Sequence, residues 1–297
     1  MNETLTSCPV CGGNSFVTER TCTDFVATGQ EFSLQRCTHC TLLFTNPRPD
    51  SRHISPYYQT DNYISHTSSK KGAIYFLYDI VRLISQSNKL KKINERLKNK
   101  TSLLDVGCGL GYFLNTAKKD GWKVEGLDVS EEARTHVKQH FGIDVHKEEA
   151  IKGFPDASFE AITLWHVLEH FHNLQEWVID MGRVLKPGGL MFVAVPNSES
   201  YDANHYQSFW DGYDVPRHLY HFNHKSIEVL FSKNGLTVVD RLPMIYDSYY
   251  ISWRSEIHKK SLLGFLKAVI IGQISNWKAR KSRNYSSVLY IIKHADK

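Results

Sequence analysis

The sequence predicts an α/β fold with a small metal-binding ribbon at its N-terminal end. Three observations predict it. Two Cys-x-x-Cys knuckles lie near the start, Cys8-Pro9-Val10-Cys11 and Cys37-Thr38-His39-Cys40. A short apolar run enters the glycine loop Gly107-Cys108-Gly109-Leu110-Gly111, with a helical stretch behind it. A second apolar run then ends in an acid, Asp128. Strand, loop, helix and strand in that order are the repeating unit of parallel sheets. Hydrophobic residues at 41% and charged residues at 23% exclude a disordered or collagenous chain, and 297 residues suit one large or two unequal domains.

Two thiolates three positions apart on a tight turn can bind one ion together, and two such turns close a tetrahedral four-thiolate site. Cys8, Cys11, Cys37 and Cys40 are therefore the expected ligands of a structural zinc ion, with residues 1–50 as the ribbon. The 25-residue spacer calls for a long hairpin, Phe16–Thr21 against Phe32–Arg36. A closed site leaves no open coordination position, so this metal folds the segment and does not catalyse. Cys22 and Cys108 remain as ordinary thiols. Prolines 47 and 49 end the ribbon, because they block both helix and ladder. Residues 51–100 read as a linker containing Tyr57, Tyr58 and Tyr63, then a helical segment from about 72 to 98. Its apolar residues Leu77, Ile80, Val81, Ile84, Leu90, Ile93 and Leu97 keep helical spacing.

Thr101–Val106 reads as a buried strand and Tyr112–Lys119 as the helix behind the loop. Glycines let the backbone turn sharply and let an anionic group approach main-chain N–H groups at a helix start. Asp128 closes the second strand 21 residues after Gly107, where an acid can accept both ribose hydroxyls of an adenosine-containing cofactor. Tyr112 stands where the dinucleotide pattern needs glycine, and no G-x-x-x-x-G-K-[ST] loop exists.

The form Asp105-x-Gly107-x-Gly109-x-Gly111 resembles motif I of the class I S-adenosylmethionine-dependent methyltransferases. The resemblance continues through Asp128, Glu148 after a third strand at Asp144–His146, and Phe154-Pro155-Asp156-Ala157-Ser158-Phe159-Glu160-Ala161-Ile162 before the fourth strand. It includes the turn Leu185-Lys186-Pro187-Gly188-Gly189 before the fifth strand, Leu190–Val195. It implies a Rossmann-like seven-stranded methyltransferase domain over 101–297, closed by an antiparallel pair, Leu236–Asp240 and Val288–His294. S-adenosyl-L-methionine is then the implied cofactor, held by Asp105, Gly107, Cys108, Gly109, Gly111, Asp128, Val129, Glu148, Trp165 and His166. The knuckles, the Asn46-Pro47-Arg48-Pro49 turn and Tyr57-Tyr58 resemble a bacterial subfamily that joins a zinc ribbon to this domain. Asp214–Phe222 is similar to that subfamily's insertion, placed around 200–222. Related domains methylate oxygen or carbon of quinone precursors and sugars.

A sulfonium donor leaves as a neutral thioether, so the protein must align the acceptor and exclude water, adding a base only where the acceptor is protonated. His166, Glu169 and His170 stand at i, i+3 and i+4, and a helix there would put all three on one face at the end of the fourth strand. His170, Glu169 and His218 are the candidate catalytic residues. Ubiquinone-pathway O-methyltransferases look similar here, with a metal-holding Glu-x-x-Glu-His where this chain has His166-x-x-Glu169-His170. The insertion with His218, Tyr220 and Arg217 reads as a packed segment or as a lid on the acceptor, Arg217 holding an acidic group.

Charge is uneven. Residues 259–297 hold nine basic groups and one acid, +8, against +5 for the whole chain, so the remainder is −3. The stretch 259–280 has helical apolar spacing with a basic rim and Trp277, fitting core packing, dimerisation or a peripheral membrane contact. The expected partner is a small-molecule acceptor: a sugar, a quinone-like or a lipid-linked compound. An RNA methyltransferase gripping nucleic acid with its ribbon is the competing reading, and a non-catalytic interaction module a third. Against RNA, residues 1–45 carry Arg20 and Arg36 beside Glu3, Glu19, Asp24 and Glu31. No signal peptide or 20-residue apolar span is read, so the expected location is cytoplasmic, with the inner membrane face as its periphery.

Overall fold

The computed structural model describes residues 2–58 and 85–296. Of the expected helix, 85–94 is helical (α1), burying Leu90 and Ile93, with Leu97 buried just beyond. Leu77, Ile80, Val81 and Ile84, like Tyr63, lie outside the described residues.

The N-terminal strands are β1 (Asn2–Glu3), β2 (Phe16–Thr23), β3 (Glu31–Cys37), β4 (Leu43–Thr45) and β5 (Arg48–Pro49). Contrary to the expectation from sequence, the prolines do not exclude a ladder: β5 pairs with β1, Glu3 opposite Arg48, in a two-residue antiparallel bridge at the margin of the ribbon. Edge positions tolerate proline because its missing N–H can face away from the partner.

The main sheet has seven strands, β6 (Ser102–Val106), β7 (Lys123–Leu127), β8 (Val145–His146), β9 (Phe159–Trp165), β10 (Leu185–Pro196), β12 (Leu236–Pro243) and β13 (Ser287–His294). Their order is β12-β13-β10-β9-β6-β7-β8. The β8-to-β10 side is parallel, while β13 runs antiparallel between β10 and β12. β6, β9, β10 and β13 carry runs of buried Leu, Ile, Val, Ala and Phe, the composition of strands covered on both faces. The stretch Leu185–Gly189 belongs to β10, with the register against β9 shifting between Leu185 and Leu190; the expected turn is an irregularity within the strand.

Helices α2 (Tyr112–Lys119), α3 (Glu131–Phe141) and α4 (Leu174–Val184) cross between the parallel strands. Ser130 caps α3 by accepting from the Ala133 N–H, with Glu131 and Glu132 in the first turn, where carboxylates oppose the positive helix end. On one face of the sheet α1, α2 and α3 bury Ile93, Phe113, Leu114 and Val137 with Trp122; on the other α4 buries Leu174, Val178 and Met181.

The insertion does more than decorate the sheet. After α5 (Tyr201–Tyr206), β11 (Tyr220–His221) pairs antiparallel with β4, giving a four-stranded sheet β11-β4-β3-β2. Trp210, Tyr213 and Val215 of the insertion pack with Phe32, Leu34 and Leu43 of the ribbon. Helix α6 (His224–Ser232) follows, with a reciprocal Asn223–Ser226 cap. Finally α7 (Asp247–His258) and α8 (Gly264–Ser282) form a helical hairpin inserted between β12 and β13.

Candidate functional site

The glycine loop bends between β6 and α2 because three of its residues take a left-handed backbone, φ +68° at Gly107, +53° at Gly109 and +73° at Gly111. A Cβ at Gly107 would lie 2.5 Å from Val167 Cγ2, and one at Gly111 2.6 Å from Val137 Cγ2. Those two glycines serve packing. At Gly109 a Cβ would meet nothing within 4 Å, so this bend faces open space.

Asp128 sits beneath that opening. Its Oδ2 accepts from the Gly109 N–H at 2.7 Å and its Oδ1 from the Ser130 N–H at 2.9 Å, which locks the carboxylate to the loop. Each oxygen keeps a lone pair for a further donor. Val129 beside it is 70% exposed, an apolar surface at the rim. Glu148, half-buried, is close enough that burial and the Asp128 charge push its carboxyl up to about 7. Cys108 is half-buried, and burial drives its thiol upward.

Asp105 and Thr163 face each other across β6 and β9, and the threonine hydroxyl donates to Asp105 Oδ1 at 2.6 Å. Burial pushes the Asp105 carboxyl up to about 7. The Trp165 ring packs edge-on against Phe113, and the Lys89 ammonium of α1 stands 4.5 Å from the Trp165 ring centre. Lys89 was not singled out from sequence as a site residue.

The segment after β9 departs from expectation. It is not an α-helix: His166 has φ +60° and Leu168–His170 form a single 3-10 turn. This bend still brings His166 Nδ1 within 3.7 Å of Glu169 Oε1, while His166 Nε2 lies 3.0 Å from Asp247 Oδ2 on α7. Burial alone would depress the imidazole, but the two carboxylates carry it up to about 9. Asp247 was missed because nothing local links positions 81 residues apart.

Glu169 is fully buried, and among the described residues both its oxygens lack hydrogen-bond partners. Burial opposes its charge, yet the His166 imidazole 3.7 Å away and the nearby His218 hold its carboxyl below the usual range. His170 Nδ1 lies 2.9 Å from the Tyr58 hydroxyl and 3.0 Å from the Arg217 carbonyl. A carbonyl only accepts, so this nitrogen carries the proton and Nε2 bears the lone pair. Burial and the neighbouring His218 pull His170 down to about 4, leaving it neutral at physiological pH. His218 donates Nδ1–H to the Gly212 carbonyl at 2.9 Å and turns Nε2 toward Glu169 at 4.0 Å.

One ligand atom each from Glu169, His170 and His218 lies within 4.8 Å of the others, a carboxylate-and-two-imidazole set able to hold a divalent ion. Here His218 of the insertion takes the place that the sequence spacing gives to His166. Arg217 does not face an acceptor. It is buried, bonded to Asp214, to Asp24 of the ribbon and to the Tyr57 carbonyl, and so ties insertion to ribbon. Tyr220 is likewise buried, its hydroxyl donating to the His172 carbonyl.

At the other end of the chain Cys8, Cys11, Cys37 and Cys40 bring their sulfurs within 4.8 Å of one another. Cys8–Cys40 and Cys11–Cys37 separations are each 3.5 Å, close to the roughly 3.8 Å that a tetrahedral ion with bonds of about 2.3 Å requires. No disulfide joins them.

A family model described as Methyltransferase domain matches residues 76–241, more than half of the chain. The chain belongs to this methyltransferase-domain family. Among curated relatives, a Mycolicibacterium smegmatis protein named "Probable S-adenosylmethionine-dependent methyltransferase" is 30% identical over 149 residues, 48% of this chain and 55% of that protein. A ubiquinone biosynthesis O-methyltransferase of Brucella anthropi is 28% identical over 168 residues, 51% of this chain and 66% of that protein. The chain thus spans between half and two thirds of the length of these relatives. A Galdieria sulphuraria structure, provisionally named a sarcosine dimethylglycine methyltransferase, shares the fold with TM-score 0.50 and 15% identity, covering 71% of this chain and 84% of that one. Methyltransferase domain, Rossmann-like sheet and four-cysteine cluster therefore stand together in one chain.

Proposed function

We propose that this protein transfers a methyl group from S-adenosyl-L-methionine to oxygen or carbon of a small-molecule acceptor, a sugar, a quinone-like or a lipid-linked compound. The observation that carries the reading is the pairing of Gly109, open above, with Asp128 locked beneath it. Bound there, the cofactor supplies an activated methyl on a sulfonium centre. Asp128 would accept the ribose hydroxyls, Glu148 would meet the adenine edge, and Val129 would cover one base face. Gly107, Cys108 and Gly111 shape the loop, while Asp105 and Trp165 bound the methionine end beside His166.

Glu169, His170 and His218 lie beyond the end of β9, where an acceptor would enter. His170, held neutral with one nitrogen pinned by a backbone carbonyl, can orient an acceptor hydroxyl and take its proton. His218 is fixed the same way by Gly212, so the two rings present set tautomers to one spot. Glu169 balances the charge that such a proton transfer develops.

The four thiolates would hold a structural zinc ion, which stabilises the ribbon and, through β11, the loop that carries His218. We read residues 1–50 as the ribbon and 101–297 as the transferase unit, joined by the insertion. Incubating the protein with radiolabelled methyl donor and separated soluble and lipid extracts tests the reading: label should pass to a small molecule, and label passing only to RNA would overturn it.

A further inference from the structure

The α7–α8 hairpin is built inside out. Helix α8 buries its small residues, Ala268, Gly272, Ser275 and Ala279, and presents most of its large apolar ones to solvent, Ile271 packing inward. Phe265 at its start is 72% exposed, and Leu266, Ile270 and Trp277 (64% exposed) share the side away from that buried stripe. Helix α7 buries Ser248, Ser252 and Ser255 together with Ile251 and Glu256, while Trp253 and Ile257 stay exposed. The contact between the helices is close: a Cβ on Gly272 would lie 3.1 Å from the Tyr249 main chain, and the Ser248 hydroxyl donates to the Gly272 carbonyl. Helices in water bury large residues on the inside. Small residues inside and large apolar ones outside is the arrangement of helices packed in lipid.

The tip continues the pattern. Leu262 is 87% exposed and Leu263 74% exposed, at a turn where polar residues are the norm, and Leu263 holds φ +61°. Around this surface, residues 259–281 contain six basic side chains and no acid. Among the described residues no helix is long and apolar enough to cross a membrane.

We propose that the hairpin docks on an anionic membrane surface, tip and α8 face set into the headgroup layer with the lysines on lipid phosphates. An apolar face with a basic rim gains from both terms at such a surface, and gains only the first from a neutral one. The position is functional. Asp247, the first residue of α7, bonds His166 in the candidate site, and a 12-residue helix rises roughly 18 Å, so the site lies within about that distance of the docked tip. Docking is independent of the methyl-transfer reading; its consequence, a lipid-linked acceptor drawn from the bilayer, rests on that reading.

The test is co-sedimentation of the full chain with phosphatidylcholine vesicles with and without phosphatidylglycerol. The protein should bind the mixed vesicles, release as salt rises, and bind pure phosphatidylcholine at least several-fold more weakly. Leu262→Asp/Phe265→Asp should cut the bound fraction on the order of tenfold while melting like wild type, since both side chains are exposed. Failure of wild type to bind, equal binding to both vesicles, or binding unmoved by the double variant overturns the proposal. So does a dimer in sedimentation velocity that the double variant dissociates, which would make the face a contact between two copies. Methyl transfer to a soluble acceptor at full rate by the double variant would leave docking standing and remove only the lipid-linked acceptor.

Discussion

The three glycines of the loop answer to different constraints, so alanine at each should fail differently. Gly107→Ala meets two costs. A side chain at φ +68° costs roughly 1–2 kcal/mol. Its Cβ, 2.5 Å from Val167 Cγ2 and 2.8 Å from Cγ1, adds an overpacking cost of about 1–3 kcal/mol. Together they come to roughly 2–5 kcal/mol, and at about 2–4 °C per kcal/mol the melting temperature should fall by roughly 5–20 °C. Gly109→Ala meets only the first cost, because nothing lies within 4 Å of its Cβ. It should melt within about 2–8 °C of wild type. On the proposed cofactor placement its Cβ would enter the space of the adenosyl group, and affinity for S-adenosyl-L-methionine should fall by an order of magnitude or more. Thermal melts and titration calorimetry on both variants separate the two effects. Undiminished affinity in Gly109→Ala, or wild-type melting in Gly107→Ala, would refute the division between cradle and packing.

Asp128→Asn should bind the cofactor roughly ten to a hundredfold more weakly, since a charge-assisted hydrogen bond is worth about 1.5–3 kcal/mol, and equal affinity by calorimetry would count against the ribose assignment. Chelation should release one zinc per chain, read by metal analysis, and loosen both the ribbon and the β11 segment paired to it, read by hydrogen exchange at Tyr220–His221; metal-free protein with native exchange contradicts this. His170→Ala should slow transfer without changing cofactor affinity, and unaltered turnover removes its role. His166 has its pKa raised from 6.5 to about 9 when folded, so its contribution is complete below about pH 6.5 and is lost as pH rises through about 9. Melting temperature should therefore decline across that window in wild type and decline less in Asp247→Asn, and parallel profiles would show that this pair does not carry the dependence.

What the sequence made legible was local. The bounds of α2 at Tyr112–Lys119, the acid closing β7 and the capped start of α3 each follow from a few adjacent residues. The knuckles also declare themselves, since two residues in each fix the geometry of half a site. Long-range pairing was hidden. Nothing near Tyr220 announces an antiparallel partner at Phe44, and nothing near Asp247 announces His166. Arg217 reads in sequence as a packed residue or as a cation for an acidic group of the acceptor, but Asp24, 193 positions away, claims it. The His166–His170 segment misled for a different reason: i, i+3, i+4 spacing is helical only if the backbone is, and a left-handed His166 breaks the helix while keeping the neighbours close. The hairpin inverts the usual rule that spacing of large apolar residues marks the buried face.

Crystals of the protein soaked with S-adenosylhomocysteine provide the most direct measurement. The adenosyl group should lie over Gly109 with its ribose hydroxyls on Asp128, its base between Val129 and Glu148, and its sulfur directed toward His166 and the Glu169–His170–His218 cluster. Density for the nucleoside at any other place on the chain, or an empty loop under saturating ligand, would contradict the account.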